Sequence, residues 1–205
     1  KGTIMHYIAH RINTIKELLE VPKKYGVEID LRDYGDKIIL QHDPFKKGED
    51  FEEYLKFYNH KFIILNIKSE GIEFKILKIL KRFKIKNYFF LDCSFPMINL
   101  LSSKNEKKIA LRFSEFESIQ TIILMSGKVN FVWVDCFSKL PINPKNFKLL
   151  KKHKFKLCLV SPELQNQGFK LDIYKEYIRK KDLKFDFICT KIFNIKNWSN
   201  LKKNI

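Results

Sequence analysis

Gly26–Phe45 reads GVEIDLRDYGDKIILQHDPF, and the fold turns on how this stretch is understood. Val27–Leu31 has the aliphatic, β-branched character of a strand, broken only by acids at Glu28 and Asp30. Tyr34-Gly35-Asp36 is a turn signal, and Lys37–Gln41 then reads as a strand returning onto Val27–Leu31. A short hairpin therefore follows this strand and delivers His42-Asp43.

Outward from the hairpin, short β-rich runs alternate with longer amphipathic ones, as parallel strands joined by helical crossovers require. The runs are Met5–Ala9, Val27–Leu31, Phe62–Ile67, Tyr88–Leu91, Lys108–Leu111, Phe131–Val134, Lys156–Val160 and Phe187–Cys189, eight in all. Helices are expected at Ile15–Tyr25, Asp50–Tyr58, Ile72–Phe83, Pro96–Ser103, Phe116–Met125, Pro144–Lys152 and Asp172–Lys180. Gly26 falls where a left-handed cap of the first helix is expected. Asn194–Ile205 leaves room only for a truncated last helix, and Lys1–Ile4 reads either as leftover vector sequence before a native Met5 or as part of the first strand. These elements predict an α/β chain of the compact (β/α)8 TIM-barrel class, one domain over residues 1–205. An open doubly wound sheet is the competing architecture, but no Gly-rich phosphate loop follows any strand.

Composition narrows the function classes. Hydrophobic residues make up 45% of 205, enough for a substantial core, and no apolar run approaches the length of a bilayer span. No signal peptide is visible. The net charge of +17 invites polyanions, yet Lys is scattered through nearly every helix and outnumbers Arg, so no specific nucleic-acid binding is expected. The same field suits steering of a small phosphorylated substrate. Cys93, Cys136, Cys158 and Cys189 lack CxxC spacing and read as buried free thiols in a reducing cytoplasm.

In a barrel, chemistry sits at the C-terminal strand ends. There the chain carries His10-Arg11, Glu28 and Asp30, Arg32, His42-Asp43, Asn66-Ile67-Lys68, Glu70, Asp92, Ser94, Arg112, Asp135, Ser161, Glu163, Thr190 and Lys191. Glu28 and Asp30, two apart on a strand, share one face. Two carboxylates buried together repel, and a hard divalent cation, Mg²⁺ or Ca²⁺, relieves that conflict. Ion pairs with Arg11, Arg32 or Lys68 are the structural alternative. His10 and His42 are candidates for general acid and base near neutral pH, and Arg11 and Lys68 for binding a phosphodiester. His6, His60 and His153 have no comparable company and read as ordinary surface or core residues.

These motifs, YIAHR, GVEIDLR and ILQHDPF, resemble in order and position the signature of glycerophosphodiester phosphodiesterases, within the wider phosphatidylinositol-phospholipase-C-like superfamily. The resemblance implies that His10 and His42 form the acid/base pair, Glu28 and Asp30 hold one divalent cation, and Arg11 and Lys68 contact phosphate. CSFP at Cys93–Pro96 and FICT at Phe187–Thr190 resemble later elements of the family. Two departures stand out. The third metal ligand, a Glu in the family, is Asn66 here, with Glu70 and Asp92 as possible substitutes, and only Pro44–Lys61 fills the gap before the third strand. The expectation is a metal-dependent hydrolase of a small polar phosphodiester, glycerol-, sugar- or nucleotide-linked, with Asp92, Arg112, Trp133, Asp135 and Glu163 lining the substrate. The alternative is a catalytically impaired barrel that binds phosphoesters as a sensor or scaffold. Oligomeric state is not written in the sequence.

Overall fold

The computed structural model describes residues 5–199, so the expectations for Lys1–Ile4 and for the last six residues lie outside it. By internal contacts the chain divides into two units, one of Ala9–Ile109 and one of the N-terminal segment to Ile8 with Ala110 onward. The chain passes from one unit to the other within strand β1 (His6–Ala9), whose last residue, Ala9, opens the Ala9–Ile109 unit.

The Ala9–Ile109 unit begins with α1 (Ile15–Glu20). Thr14 and Glu17 form a capping box at its start, which satisfies amide groups that a six-residue helix would otherwise leave open. The helix stops well short of Tyr25. Val21, held extended by the Pro22 ring that follows, forms the C-cap, with φ −78° and ψ 124°. Gly26 is consequently not the cap expected of it but the first residue of β2 (Gly26–Tyr34). The hairpin partner β3 (Lys37–Leu40) lies antiparallel to β2, with Leu31 opposite Leu40 and Tyr34 opposite Lys37. A two-residue strand that the pattern did not reveal, β4 (Glu49–Asp50), adds to β3. There follow α2 (Phe51–Phe57), β5 (Ile63–Ile67), α3 (Glu73–Arg82), β6 (Tyr88–Leu91) and α4 (Phe95–Ser103). β2, β5 and β6 are mutually parallel, and the register sets Asp30 beside Asn66 and Asn66 beside Leu91. Ile29, Ile64, Leu65, Phe89, Phe90, Leu18, Tyr54 and Leu101 are buried without measurable exposure, so the sheet is covered on both faces.

The second unit carries β7 (Ala110–Phe113), α5 (Ile119–Leu124), β8 (Phe131–Val134), α6 (Pro144–Lys152), β9 (Lys156–Val160), α7 (Leu171–Lys180), β10 (Phe187–Thr190) and the short α8 (Ile195–Ser199). β7 to β10 pair in chain order, all parallel, and the amide of His6 on β1 donates to Asp186 O beside β10 at 2.9 Å. β7 begins two residues later than expected, which brings Arg112 into the strand. Cys136, Cys158 and Cys189 are buried as expected, whereas Cys93, two residues beyond β6, is half-buried. Among the described residues no helix is long and apolar enough to cross a membrane.

Candidate active site

Parallel strands place their C-terminal ends on one edge of a sheet, and in the Ala9–Ile109 unit that edge gathers the polar residues. Glu28 and Asp30 are both fully buried on β2. The Asn66 amide on β5 donates to Glu28 Oε1 at 2.8 Å, and the Arg11 backbone N–H donates to Glu28 Oε2 at 2.8 Å. Arg11 holds a left-handed backbone conformation (φ 55°), which lets the chain fold back over β2 after β1. Asn13 grips Asp30 twice, accepting its backbone N–H on Oδ1 and donating from Nδ2 to Oδ2, both at 2.8 Å.

Cations flank these acids without burying themselves. Lys68 Nζ lies 3.5 Å from Asp30 Oδ1 and 3.6 Å from Asp92 Oδ2, and Arg11 Nε lies 3.9 Å from Asp30 Oδ2. Burial pushes the Glu28 carboxyl above its ordinary range, opposed by Asn66, the Arg11 amide and Lys68. Burial, reinforced by the neighbouring Glu28 charge, does the same to Asp30 against Asn13 and Lys68. The cations present thus leave the pair incompletely compensated. Asp30 Oδ1 and Asn66 Oδ1 are buried oxygens with no hydrogen-bond donor, and their residues are register neighbours. Two carboxylates and one amide oxygen suit a hard cation, although among the described residues no three His, Cys, Asp or Glu side chains gather as a metal group. Neither suggested substitute joins them: Glu70 accepts the Ser94 hydroxyl, and Asp92 pairs with Lys68.

The two histidines sit differently. His10 is largely buried, its Nε2 3.8 Å from Glu28 Oε2. His42 is more exposed, and Arg11 Nη2 approaches its Nε2 to 2.7 Å while its Nδ1 lies 2.8 Å from Asp43 Oδ1. A guanidinium only donates, so Nε2 must accept, and Nδ1 then carries the proton given to Asp43. Lys46 Nζ holds the other Asp43 oxygen at 2.7 Å. Lys46 and His42 together keep the Asp43 carboxyl at about 2, below its ordinary value.

Comparison with known proteins yields structural matches alone. No protein-family model matches the chain, and no curated protein matches its sequence. Among solved structures, one described as a glycerophosphodiester phosphodiesterase of Galdieria sulphuraria superposes with a TM-score of 0.70 at 15% identity, over 97% of this chain and 98% of that one. A second, described as a glycerophosphoryl diester phosphodiesterase of Agrobacterium tumefaciens, gives 0.69 at 12%, over 98% of this chain and 100% of that one. A third, a glycerophosphoryl diester phosphodiesterase of Parabacteroides distasonis, gives 0.64 at 13%, over 98% and 88%. The chain shares their fold. That fold is the (β/α)8 class expected from the strand–helix alternation.

Of the residues singled out in sequence, His10, Arg11, Glu28, Asp30, His42, Asn66, Lys68 and Asp92 fall together in the Ala9–Ile109 unit. Arg112, Trp133, Asp135 and Glu163 fall in the other. There the buried Asp135 accepts from Arg112, from the Trp133 indole (3.3 Å) and from Gln165 (2.9 Å). Glu163 accepts the Ser161 and Thr190 hydroxyls and the Lys191 amide. Sequence reasoning missed Asn13 and Lys46, which act across turns, and it mistook Arg32. Arg32 pairs with neither acid; it donates to the carbonyls of Lys68 (3.1 Å) and His42 (3.0 Å), tying both of those segments to β2. An Asn two residues after a strand-end His-Arg pair was the visible clue to Asn13.

Proposed function

We propose that the protein is a metal-dependent phosphoric diester hydrolase of the glycerophosphodiester phosphodiesterase type, acting on a small polar phosphodiester by His/His acid–base catalysis. The observation that carries this is the convergence of two imidazoles, two buried carboxylates and two cations within one unit. The likeness of fold to structures described as phosphodiesterases supports it.

Glu28, Asp30 and Asn66 would hold one Mg²⁺ or Ca²⁺, which when bound supplies Lewis-acid stabilisation of charge on the non-bridging phosphate oxygens. Arg11 presents a flexible guanidinium at the exposed side of the site, suited to a two-pronged phosphate contact, and Lys68 adds a point charge. As Arg11 turns to phosphate it releases His42 Nε2, whose lone pair Asp43 has already oriented. His42 is then the base that activates the attacking oxygen. His10, whose Nε2 lies 3.8 Å from Glu28 Oε2, would then be the acid that delivers a proton to the leaving alcohol. Free thiols suit a cytoplasmic setting.

The test is turnover of a phosphodiester metabolite library with Mg²⁺ or Ca²⁺ present. His10→Ala and His42→Ala should each lower kcat by at least about 10²-fold while leaving the circular dichroism spectrum unchanged. Full activity in both variants would overturn the mechanism.

One observation favours a second reading, a phosphoester binder that no longer cleaves: the Asn66 amide already occupies a Glu28 oxygen that a cation would share. Asn66→Glu discriminates. A binder should gain cation affinity and turnover from an undetectable base, whereas an enzyme turns over before the change.

A further inference from the structure

β2, β5 and β6 are parallel, so in the Ala9–Ile109 unit the turns leading into these strands lie on the edge opposite the one that gathers the site residues. On that opposite edge, where α3 turns into β6, there is a cavity of about 420 Å³. Its apolar part is made by Leu77 and Leu80 of α3, Ile85 of the connecting turn and Tyr88 at the start of β6. Lys81, Lys84, Lys86 and Lys108 complete the lining. A recess of this size, apolar with a few convergent polar groups, is of the kind that takes a small molecule.

The local charge is one-sided. Residues 77–88 and 104–108 carry Lys78, Lys81, Arg82, Lys84, Lys86, Lys104, Lys107 and Lys108 against a single acid, Glu106. Glu106 keeps its charge, but its oxygens accept from the Tyr88 hydroxyl and the Lys108 backbone amide, each at 2.7 Å. Among the described residues none of the four lining lysines makes an ion pair. Lys108 Nζ lies over the Tyr88 ring, 4.4 Å from its centroid, which fixes one cation at the wall of the recess.

Helix stability does not account for the cluster. Cations favour the last turn of a helix, and Lys81 and Arg82 fill that place on α3, but Lys86 and Lys108 stand outside it. The carbonyls of Ile79, Leu80 and Lys81 are closed by the amides of Phe83, Ile85 and Lys84, at 3.0, 2.9 and 3.1 Å. These carbonyls therefore neither need the lysines nor stand open to repel an anion. Lysines are point charges, and several around one recess suit a multiply charged phosphate better than a single carboxylate.

We infer that this recess is a second ligand site, for an organic phosphate with an apolar or aromatic body. The body rests on Leu77, Leu80 and Ile85, and the phosphate lies among the lysines. None of these residues takes part in the proposed hydrolysis, so either reading can fail alone.

The experiment titrates the methyl-labelled full chain with naphthyl phosphate, and in parallel with inorganic phosphate and with naphthol, read by NMR. The methyl signals of Leu77, Leu80 and Ile85 should move saturably, with naphthyl phosphate binding about tenfold or more tightly than either fragment. K81Q/K86Q should weaken that binding about tenfold or more. Both lysines are exposed, so the thermal midpoint of the free protein should not fall. No saturable shift at these three residues would overturn the inference, as would undiminished binding by K81Q/K86Q. Equal affinity for inorganic phosphate would reduce the recess to a charged patch, and equal affinity for naphthol to an apolar hollow; either result overturns the site.

Discussion

His42 illustrates how a single contact sets a tautomer. With Arg11 donating to Nε2, the ring must place its proton on Nδ1 and give it to Asp43. Asp43→Asn offers an amide that can also donate, so the tautomer is no longer enforced. The expected result is a fall in kcat of about 10- to 100-fold with KM little changed, together with a displaced pH–rate profile. A loss confined to KM would assign Asp43 to substrate binding instead. Asp30 shows the reverse relation between function and stability. Burial raises both Glu28 and Asp30 above their ordinary values of 4.5 and 3.8, so the native state holds these protons longer than the unfolded chain does. Their contribution to stability is therefore present in acid and lost as pH climbs through the raised pKa values. Added Mg²⁺ or Ca²⁺ should raise the melting temperature more at pH 8 than at pH 5, because the cation competes with those protons. Asp30→Asn should melt higher than the parent without added cation and lose most of the cation-dependent rise, as calorimetry would show.

At the scale of elements, the hairpin and its return loop decide where His42 sits. Gly48 packs so tightly on β3 that a Cβ there would meet Leu40 O at 2.1 Å. Gly48→Ala should cost about 1–3 kcal/mol by denaturant unfolding and reduce activity further by shifting the His42 segment. Arg32→Ala removes two carbonyl ties rather than a charge pair, so its activity loss should not be rescued by Lys unless one amine reaches both carbonyls. Much of this level was legible in sequence. Tyr88–Leu91, Phe131–Val134 and Lys156–Val160 are strands at the residues expected, because each is a compact apolar run bounded by charged or turn-forming residues. Pro144–Lys152 is a helix at both expected ends, its start marked by Asn143 and Pro144. The helix expected at Phe116–Met125 begins only at Ile119, since Ser118 caps it and the segment before it is held by Ser114 and Glu115. β4 was illegible because two acidic residues carry no strand signal of their own; pairing with β3 alone makes them a strand.

For the whole molecule, the charge of +17 predicts faster encounter with an anionic substrate. Activity on an anionic phosphodiester should show kcat/KM falling as ionic strength rises, with kcat nearly constant, since screening weakens encounter and not the contacts inside the site. A salt-independent kcat/KM would remove electrostatic steering from the account. By itself the sequence determined the strand–helix alternation, the hairpin after β2 and the residue types on offer at the strand ends, because hydrophobic period and turn chemistry act over a few neighbouring residues. Only the tertiary structure decided that Asn13 grips Asp30, that the Asn66 amide turns to Glu28, that Arg32 serves carbonyls instead of acids and that Arg11 sets the His42 tautomer. Those partners lie 10 to 38 residues apart in the chain. Which donor meets which acceptor over such separations depends on strand register and on the competition for each buried oxygen, and neither is written in local pattern.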